Sequence, residues 1–272
     1  MSDRDDGPLR VAIVGASGRM GQSLIQSLSV SDDLMLGAAL VRPGADDVGS
    51  AVVGSTVAYR DDLANALVGV DVVVDFATPK GLKSRAGAIA AAGVPWLLGT
   101  TGLDENEQAC VVNAARQVPV LFSANTSLAV NGMMASLTSL AGVLGASYDV
   151  DIIDVHHRTK TDAPSGTALE LGRAVAAGWR AELEDVRSRD EQDGERSRPS
   201  IRFAAVRAGS HPGEHRVIFS GADDSIEVVH RVNEHGVFAR GALLAAHWLA
   251  RQNTGLYDMA DFIASVHGHH DR

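Results

Sequence analysis

A short β-branched run, Leu9–Val14, ends directly in Gly15-Ala-Ser-Gly18-Arg-Met-Gly21, and that turn opens a helical stretch at Met20–Leu28. Few folds accept a strand that runs into a glycine turn and then a helix without a linker. Glycines there let the backbone turn tightly and approach a pyrophosphate, which the first N–H groups of the helix then bind. The spacing is G-x-x-G-x-x-G, a variant of the usual dinucleotide fingerprint, in a chain with 28 glycines. A turn with no ligand is the plainer reading, and position after the first strand favours the dinucleotide.

The pattern then repeats. Leu34–Leu40, Val70–Phe76, Val94–Leu98 and Val118–Phe122 are further short apolar strand candidates, separated by Ala- and Leu-rich helical segments at Leu82–Ala92 and Glu105–Arg116. Strand–helix alternation at this spacing suits right-handed crossovers and a parallel sheet. Ligands of such sheets bind beyond the carboxyl ends of the strands. Two polar, small-residue loops fall there, Gly99-Thr-Thr-Gly102 and Ser123-Ala-Asn-Thr126. Each alone also makes a good helix cap.

From about Leu128 the pattern changes. Leu128–Leu144 reads as a long helix, Val150–His156 as a strand and Ala168–Ala177 as a helix. Ile201–Arg207, His215–Phe219 and Ser225–Arg231 read as strands, the last two joined by a turn at Gly221-Ala-Asp-Asp. Glu182–Ser200 has almost no apolar anchors and reads as an exposed loop, and Gly241–Leu249 as the final helix. The expected fold class is α/β. A Rossmann-like dinucleotide-binding domain would comprise 1–127 and 237–272. An α+β substrate-binding and oligomerisation domain with a mixed sheet would take 128–236.

Composition narrows the function classes. A net charge of −10 argues against a nucleic-acid partner. Apolar runs are broken within about ten residues, which predicts no membrane span. The polar, acidic N-terminus does not resemble a secretory signal, and one cysteine, Cys110, allows neither an internal disulfide nor a multi-cysteine metal site. A reducing cytoplasm is the expected location.

The chemistry concentrates in His156-His157-Arg158-Thr159-Lys160-Thr161-Asp162-Ala163-Pro164-Ser165-Gly166-Thr167. It leaves a strand, turns at Pro164 and enters a helix near Ser165. Consecutive histidines on a strand point in opposite directions, so they divide their tasks unless the strand is ending. Ser165-Gly166-Thr167 can cap the helix, and its free N–H groups can hold a carboxylate. Lys160 is one of only three lysines, with Lys80 and Lys83, among 24 basic residues. An arginine keeps its proton in a protein, whereas a lysine can give one up. A lysine among histidines therefore points to a transferable proton; a solvated surface lysine and hydrogen-bonded structural histidines are the bland alternatives. No cysteine or second spaced His/Glu set accompanies the pair to suggest zinc, and His267-Gly-His269-His270 reads as a loose tail, so no metal site is expected.

These segments resemble one family, the 4-hydroxy-tetrahydrodipicolinate (dihydrodipicolinate) reductases, nearly end to end. The resemblance rests on Val11–Gly21, Asp75-Phe76, Gly99–Gly102, Ser123–Asn125, the block His156–Ala168, Val206–Gly209, Gly213-Glu-His215, and Gly241-Ala-Leu with Trp248-Leu249. It implies hydride transfer from NADPH and/or NADH to a small cyclic dicarboxylate, with loss of water, on the diaminopimelate route to lysine. By resemblance, Gly15, Ala16, Ser17, Gly18, Arg19 and Met20 bind the cofactor, with Gly99, Thr100, Thr101, Ser123, Ala124, Asn125 and Thr126. His156 is the implied proton donor/acceptor and Lys160 the proton donor. His157, Ser165, Gly166 and Thr167 are the implied substrate contacts, and a homotetramer the implied assembly. Two positions depart from the family pattern. Val41, followed by Arg42, stands where members often carry an acid for the ribose 2′-hydroxyl, which adds Arg42 as a cofactor contact and favours NADPH at least as much as NADH. His235 stands where many members have arginine. An amino-acid dehydrogenase of the same architecture and a catalytically idle nucleotide sensor are the alternatives.

Overall fold

The computed structural model describes residues 7–188, 199–234 and 236–267. The chain divides into two compact units, Met1–Ser127 with Gly236–Arg272, and Leu128–His235.

The first unit is a seven-stranded sheet. Its strands are β1 (Leu9–Val14), β2 (Leu34–Leu40), β3 (Tyr59–Arg60), β4 (Val72–Asp75), β5 (Trp96–Leu98), β6 (Pro119–Phe122) and β11 (Gly255–Tyr257), in the order β11-β6-β5-β4-β1-β2-β3. Every pairing is parallel. Side chains alternate across a strand, so β1 sends Val11 and Ile13 into one core and Ala12 and Val14 into the other. The first core is closed by α1 (Arg19–Leu28), α8 (Gly236–Leu249) and α9 (Met259–His267), through Leu24, Leu243, Leu249 and Phe262. The second is closed by α2 (Leu63–Ala66), α3 (Leu82–Ala92) and α4 (Glu105–Ala114), through Ala66, Leu82, Ile89 and Val111. A parallel sheet buried on both faces needs continuous apolar strands, which is why these strands read as apolar runs. Asp104 and Glu107 form a reciprocal capping box at the start of α4.

The second unit carries a four-stranded sheet built from β7 (Asp149–His156), β8 (Ile201–Arg207), β9 (Glu214–Ser220) and β10 (Ser225–Arg231), in the order β10-β9-β7-β8. The β7–β8 pair is parallel, while β7–β9 and β9–β10 are antiparallel. Helices α5 (Leu128–Leu144) and α6 (Gly166–Gly178) bury Leu137, Ala141, Leu171 and Val175 against Val150, Ile152, Val217 and Phe219.

Several expectations change. The segment from Glu182 is not wholly an exposed loop: Leu183–Val186 forms a short helix, α7, whose Leu183 and Val186 are buried. Two apolar residues three positions apart anchor it, too few to register as a pattern. Gly241 lies inside α8 rather than at its start, and α8 is not the last helix, since β11 and α9 follow. The stretch 128–147 is long and apolar enough to cross a membrane by length and composition alone. Its Ser, Thr, Gly and Asn interrupt the apolar runs without making the helix polar on average; Met133, Leu137 and Ala141 pack it into the second unit's core. His235, His269 and His270 lie outside the described residues.

Candidate functional site

In the first unit the sheet order reverses at β1, whose neighbours β4 and β2 lie on opposite sides. The turn Gly15–Gly21 leaves β1 at its carboxyl end, where an open α/β sheet binds its ligand. Gly21 is fixed by close approach: a Cβ there would lie 2.3 Å from the Gly15 carbonyl oxygen and 2.6 Å from Ala16 Cα. No side chain caps α1, whose N-cap is Gly18. A cavity of about 630 Å³ opens beside this turn, lined by Gly15, Ser17, Gly18, Arg42, Thr78 and Lys80 among others. Asp46, Asp47 and Asp61 also line it, so its charge is mixed. Val41 is buried and Arg42 exposed. A cavity of similar size, about 680 Å³, sits among Val70, Asp71, Gly93 and Pro95, which precede β4 and β5, and Pro119, which begins β6. That is the amino-end edge of the sheet, where such folds do not place their ligand.

The remaining first-unit candidates occupy the same carboxyl edge with different exposure. Arg19 and Ala124 are exposed, whereas Met20 packs partly against the core. Gly99 to Thr101 follow β5; Thr100 is buried and its hydroxyl donates to the Ala77 carbonyl at 2.8 Å. Ser123 to Thr126 follow β6 as a self-bonded loop. Ser123 Oγ donates to the Asn125 carbonyl at 2.8 Å, Asn125 Oδ1 accepts from Ser127 N–H at 2.9 Å, and Thr126 Oγ1 donates to the Phe238 carbonyl at 2.7 Å. Asp75, at the end of β4, is buried; burial pushes its carboxyl up against the pull of Arg85, whose Nε lies 2.8 Å from Oδ2. Arg85 also donates to the Lys80 and Thr78 carbonyls at 2.9 Å, fixing the loop that borders the cavity.

The second unit assembles its site from strand register. Val150, Ile152, Asp154 and His156 share the core face of β7, so the apolar stripe ends in an acid and an imidazole. Across β9, Asp154 pairs with His215; across β8, His156 pairs with Arg207; across β10, His215 pairs with His230. Asp154 is fully buried. Its Oδ2 accepts from Ser165 N–H at 2.7 Å and Arg207 Nη2 at 2.9 Å. Its Oδ1 lies 2.6 Å from His156 Nδ1 and 3.5 Å from His215 Nε2. The 2.6 Å approach is bent, so neither atom completes a well-directed hydrogen bond. Burial opposes the Asp154 charge, but Arg207, the Ser165 N–H and His156 outweigh it and hold the carboxyl below its usual range. Burial lowers His156 against the pull of Asp154, and Lys160 and Arg207 add to that lowering. Burial drives His215 down to about 4.

Ser165 is the N-cap of α6: its Oγ accepts from Ala168 N–H at 3.2 Å and lies 3.2 Å from His215 Nε2. Gly166 and Thr167 form the first turn behind it. Lys160 Nζ pairs with Asp162 Oδ1 at 2.8 Å, and the lysine's hydrogen bond lowers the Asp162 carboxyl. His157, turned from His156 by the strand alternation, holds Thr159 Oγ1 at 2.7 Å from its Nδ1. Asp154, Arg207 and His215 were not among the sequence candidates. Their signal was a polar residue on an otherwise apolar alternation, Asp154 after Val150 and Ile152, and His215 before Val217 and Phe219. The ligating atoms of Asp154, His156 and His215 lie within 4.8 Å of one another, a convergence that spacing along the chain hid.

A doubly covered parallel sheet with a glycine turn at its switch point, together with a second sheet on which a buried carboxylate backs an imidazole, defines a two-unit dinucleotide-fold oxidoreductase. The chain belongs to the dihydrodipicolinate reductase family. The N-terminal family model, "Dihydrodipicolinate reductase, N-terminus", matches residues 9–126, and the C-terminal one, "Dihydrodipicolinate reductase, C-terminus", matches 129–263. A 4-hydroxy-tetrahydrodipicolinate reductase of Thiobacillus denitrificans is 43% identical over 262 residues, covering 94% of this chain and 98% of the relative. One from Alkalilimnicola ehrlichii is 42% identical over 262 residues, covering 93% and 98%. In fold, the chain is similar to the dipicolinate-bound dihydrodipicolinate reductase of Paenisporosarcina sp. TG-14, with a TM-score of 0.75 at 23% identity over 92% of this chain and 97% of that one.

Proposed function

We propose that this chain reduces 4-hydroxy-tetrahydrodipicolinate to tetrahydrodipicolinate with a pyridine nucleotide, releasing water, in the diaminopimelate route to lysine. The observation that carries the reading is one cluster in which Asp154 touches both the proton-carrying imidazole of His156 and the N-cap of α6. The dipicolinate in the Paenisporosarcina structure supports a small dicarboxylate as the ligand class.

The net chemistry replaces a hydroxyl by hydrogen. The nucleotide, when bound, supplies the hydride equivalent; one proton must come from elsewhere so that the hydroxyl leaves as water. His156 carries that proton on this reading, with Lys160 as the donor that replenishes or delivers it. The first turn of α6, at Ser165, Gly166 and Thr167, holds a carboxylate by its N–H groups and the positive end of the helix dipole, assisted by His157. In the first unit, Gly15, Ala16, Ser17, Gly18, Arg19 and Met20, with Gly99, Thr100, Thr101, Ser123, Ala124, Asn125 and Thr126, hold the nucleotide. The fit rests on the close approach at Gly21, the uncapped start of α1 and the adjoining cavity.

Arg42 selects the nucleotide. Val41 cannot accept from a ribose hydroxyl, whereas the exposed guanidinium beside it can pair with a 2′-phosphate. NADPH is therefore used at least as well as NADH, with the acids of the cavity tempering the preference. A homotetramer joined through the second unit's sheet, in the cytoplasm, completes the proposal; the outer face of that sheet carries Arg216 paired with Glu214 and Glu227. The direct test is NADPH and NADH oxidation with substrate generated enzymatically in the assay. Oxidation that depends on the substrate is expected, and nucleotide consumption no faster with substrate than without it refutes the reading.

A further inference from the structure

We infer that Asp154 is a positioning residue for this reduction: one buried carboxylate orients His156 through Nδ1 and fixes the start of α6 through the Ser165 N–H. The inference rests on the proposed reduction and adds a residue that acts only through others.

The geometry argues for it from three sides. Asp154 and His156 are two residues apart on β7, so strand alternation puts both on one face and brings Oδ1 within 2.6 Å of Nδ1. Its second oxygen takes the Ser165 N–H at 2.7 Å, tying the carboxylate-binding turn to the same group. Arg207 then locks the carboxylate from the neighbouring strand. It donates to Asp154 Oδ2 at 2.9 Å, to the Asp154 carbonyl at 3.1 Å and to the Asp162 carbonyl at 2.6 Å. One guanidinium thus joins the imidazole's partner to the loop that carries Lys160. Although the approach is too bent for a well-directed hydrogen bond, the carboxylate's charge 2.6 Å away favours a proton on Nδ1 and leaves Nε2 to exchange protons with a ligand.

Nε2 is kept clear by the chain itself. A Cβ at Gly213 would lie 3.2 Å from His156 Nε2, and Gly213 holds φ +146, a conformation that L side chains rarely adopt. The groups acting on His156 come from every packed element: Asp154 on its own strand, Lys160 from the following loop, Arg207 from β8 and His215 from β9 with its ring centroid at 5.2 Å. His230 on β10 stacks behind His215 at 6.4 Å. A bound cation is the rival use of Asp154, His156 and His215. Two ligands of one tetrahedral zinc, each roughly 2.0–2.2 Å from the ion, sit well beyond 3 Å apart, whereas Oδ1 and Nδ1 are separated by 2.6 Å.

The test uses the full-length enzyme with Asp154→Asn, which keeps the shape and removes the charge. The carboxylate favours protonated His156, so its loss lowers that group's affinity for protons. The alkaline limb of kcat/KM should move down by about one pH unit, and kcat should fall at least about tenfold, with nucleotide affinity unchanged. A folded Asp154→Asn enzyme with the wild-type pH profile overturns the inference. Should that variant not fold, ¹⁵N spectra of the wild-type histidines decide. The inference requires a proton on Nδ1 of His156, and a neutral Nε2–H tautomer overturns it. Activity abolished by a chelator and restored by a divalent ion overturns it as well, in favour of a metal site. A wild-type enzyme that never reduces the substrate instead overturns the proposed function, while the tautomer measurement still stands on its own.

Discussion

In the proposed function the two units divide the work, and their sites are built by different means. The first uses backbone: a glycine turn, an uncapped helix start and small polar loops in the order the chain meets them, at the carboxyl edge of one sheet. The second uses side chains drawn from β7, β8 and β9, arranged around a fully buried carboxylate with a neutral imidazole beside it. A backbone cradle gives a ligand a place without offering it a proton. A buried side-chain network can hold and move a proton, at the cost of keeping charged groups paired in a low-dielectric interior. On the proposed reading, binding the nucleotide and handling the proton fall to two parts of the chain, and substitutions in each part should disturb different quantities.

The largest effects belong to the second unit. His156→Ala and Lys160→Ala should each lower kcat by at least about 10²-fold, the usual contribution of a general acid–base group. Nucleotide affinity, measured by fluorescence titration, should stay at the wild-type value; a double variant that keeps most of its activity removes both residues from the proton path.

In the first unit, Gly21→Ala forces a methyl to within 2.3 Å of the Gly15 carbonyl oxygen, so the turn must shift. Nucleotide binding should weaken by more than tenfold while pyridine-2,6-dicarboxylate binding, followed by calorimetry, stays unchanged. Equal losses of both ligands would erase the division between the units.

Arg42→Ala tests selectivity within the first unit. A charge-assisted hydrogen bond contributes about 1.5–3 kcal/mol, so kcat/KM for NADPH should drop about ten- to a hundredfold while that for NADH barely moves. A wild-type enzyme favouring NADH more than tenfold, with Arg42→Ala unchanged towards NADPH, contradicts the assignment.

The remaining effect is on stability rather than on activity or binding. His215 has its folded pKa depressed to about 4 from an ordinary 6.5. A group lowered in this way stays neutral in the folded protein while the unfolded chain takes up a proton. Its contribution is therefore fully present above pH 6.5 and is lost as pH falls towards 4, by on the order of 3 kcal/mol. Thermal unfolding of wild type should show that slope between pH 7 and 4, and His215→Gln should be flatter. Parallel slopes would mean that His215 does not titrate as buried.

The difference between the units also explains what was readable in advance. Leu9–Val14 with Gly15–Gly21 is contiguous, so its place in a parallel sheet follows from local order alone. The boundaries of β2, α3 and α5 follow from apolar runs that the structure matches residue for residue. The partners of His156 are hidden because β7, β8 and β9 are brought together by register: Arg207 is 53 residues from Asp154, and Ser165 is 50 from His215. The short elements β3, α2, α7 and β11 escape for a different reason: each has four residues or fewer and none carries three consecutive apolar residues, as β4, β5 and β6 do.

The division of labour is tested most directly by following hydrogen itself. The enzyme is supplied with NADPH deuterated at the transferable position of the nicotinamide, in ordinary water, with substrate generated in the assay. Mass spectrometry of the tetrahydrodipicolinate should show one deuterium per molecule when the correct face is labelled, formed with one equivalent of nucleotide oxidised and slowed in His156→Ala without loss of the label. Product that carries no deuterium from either labelled face contradicts the account.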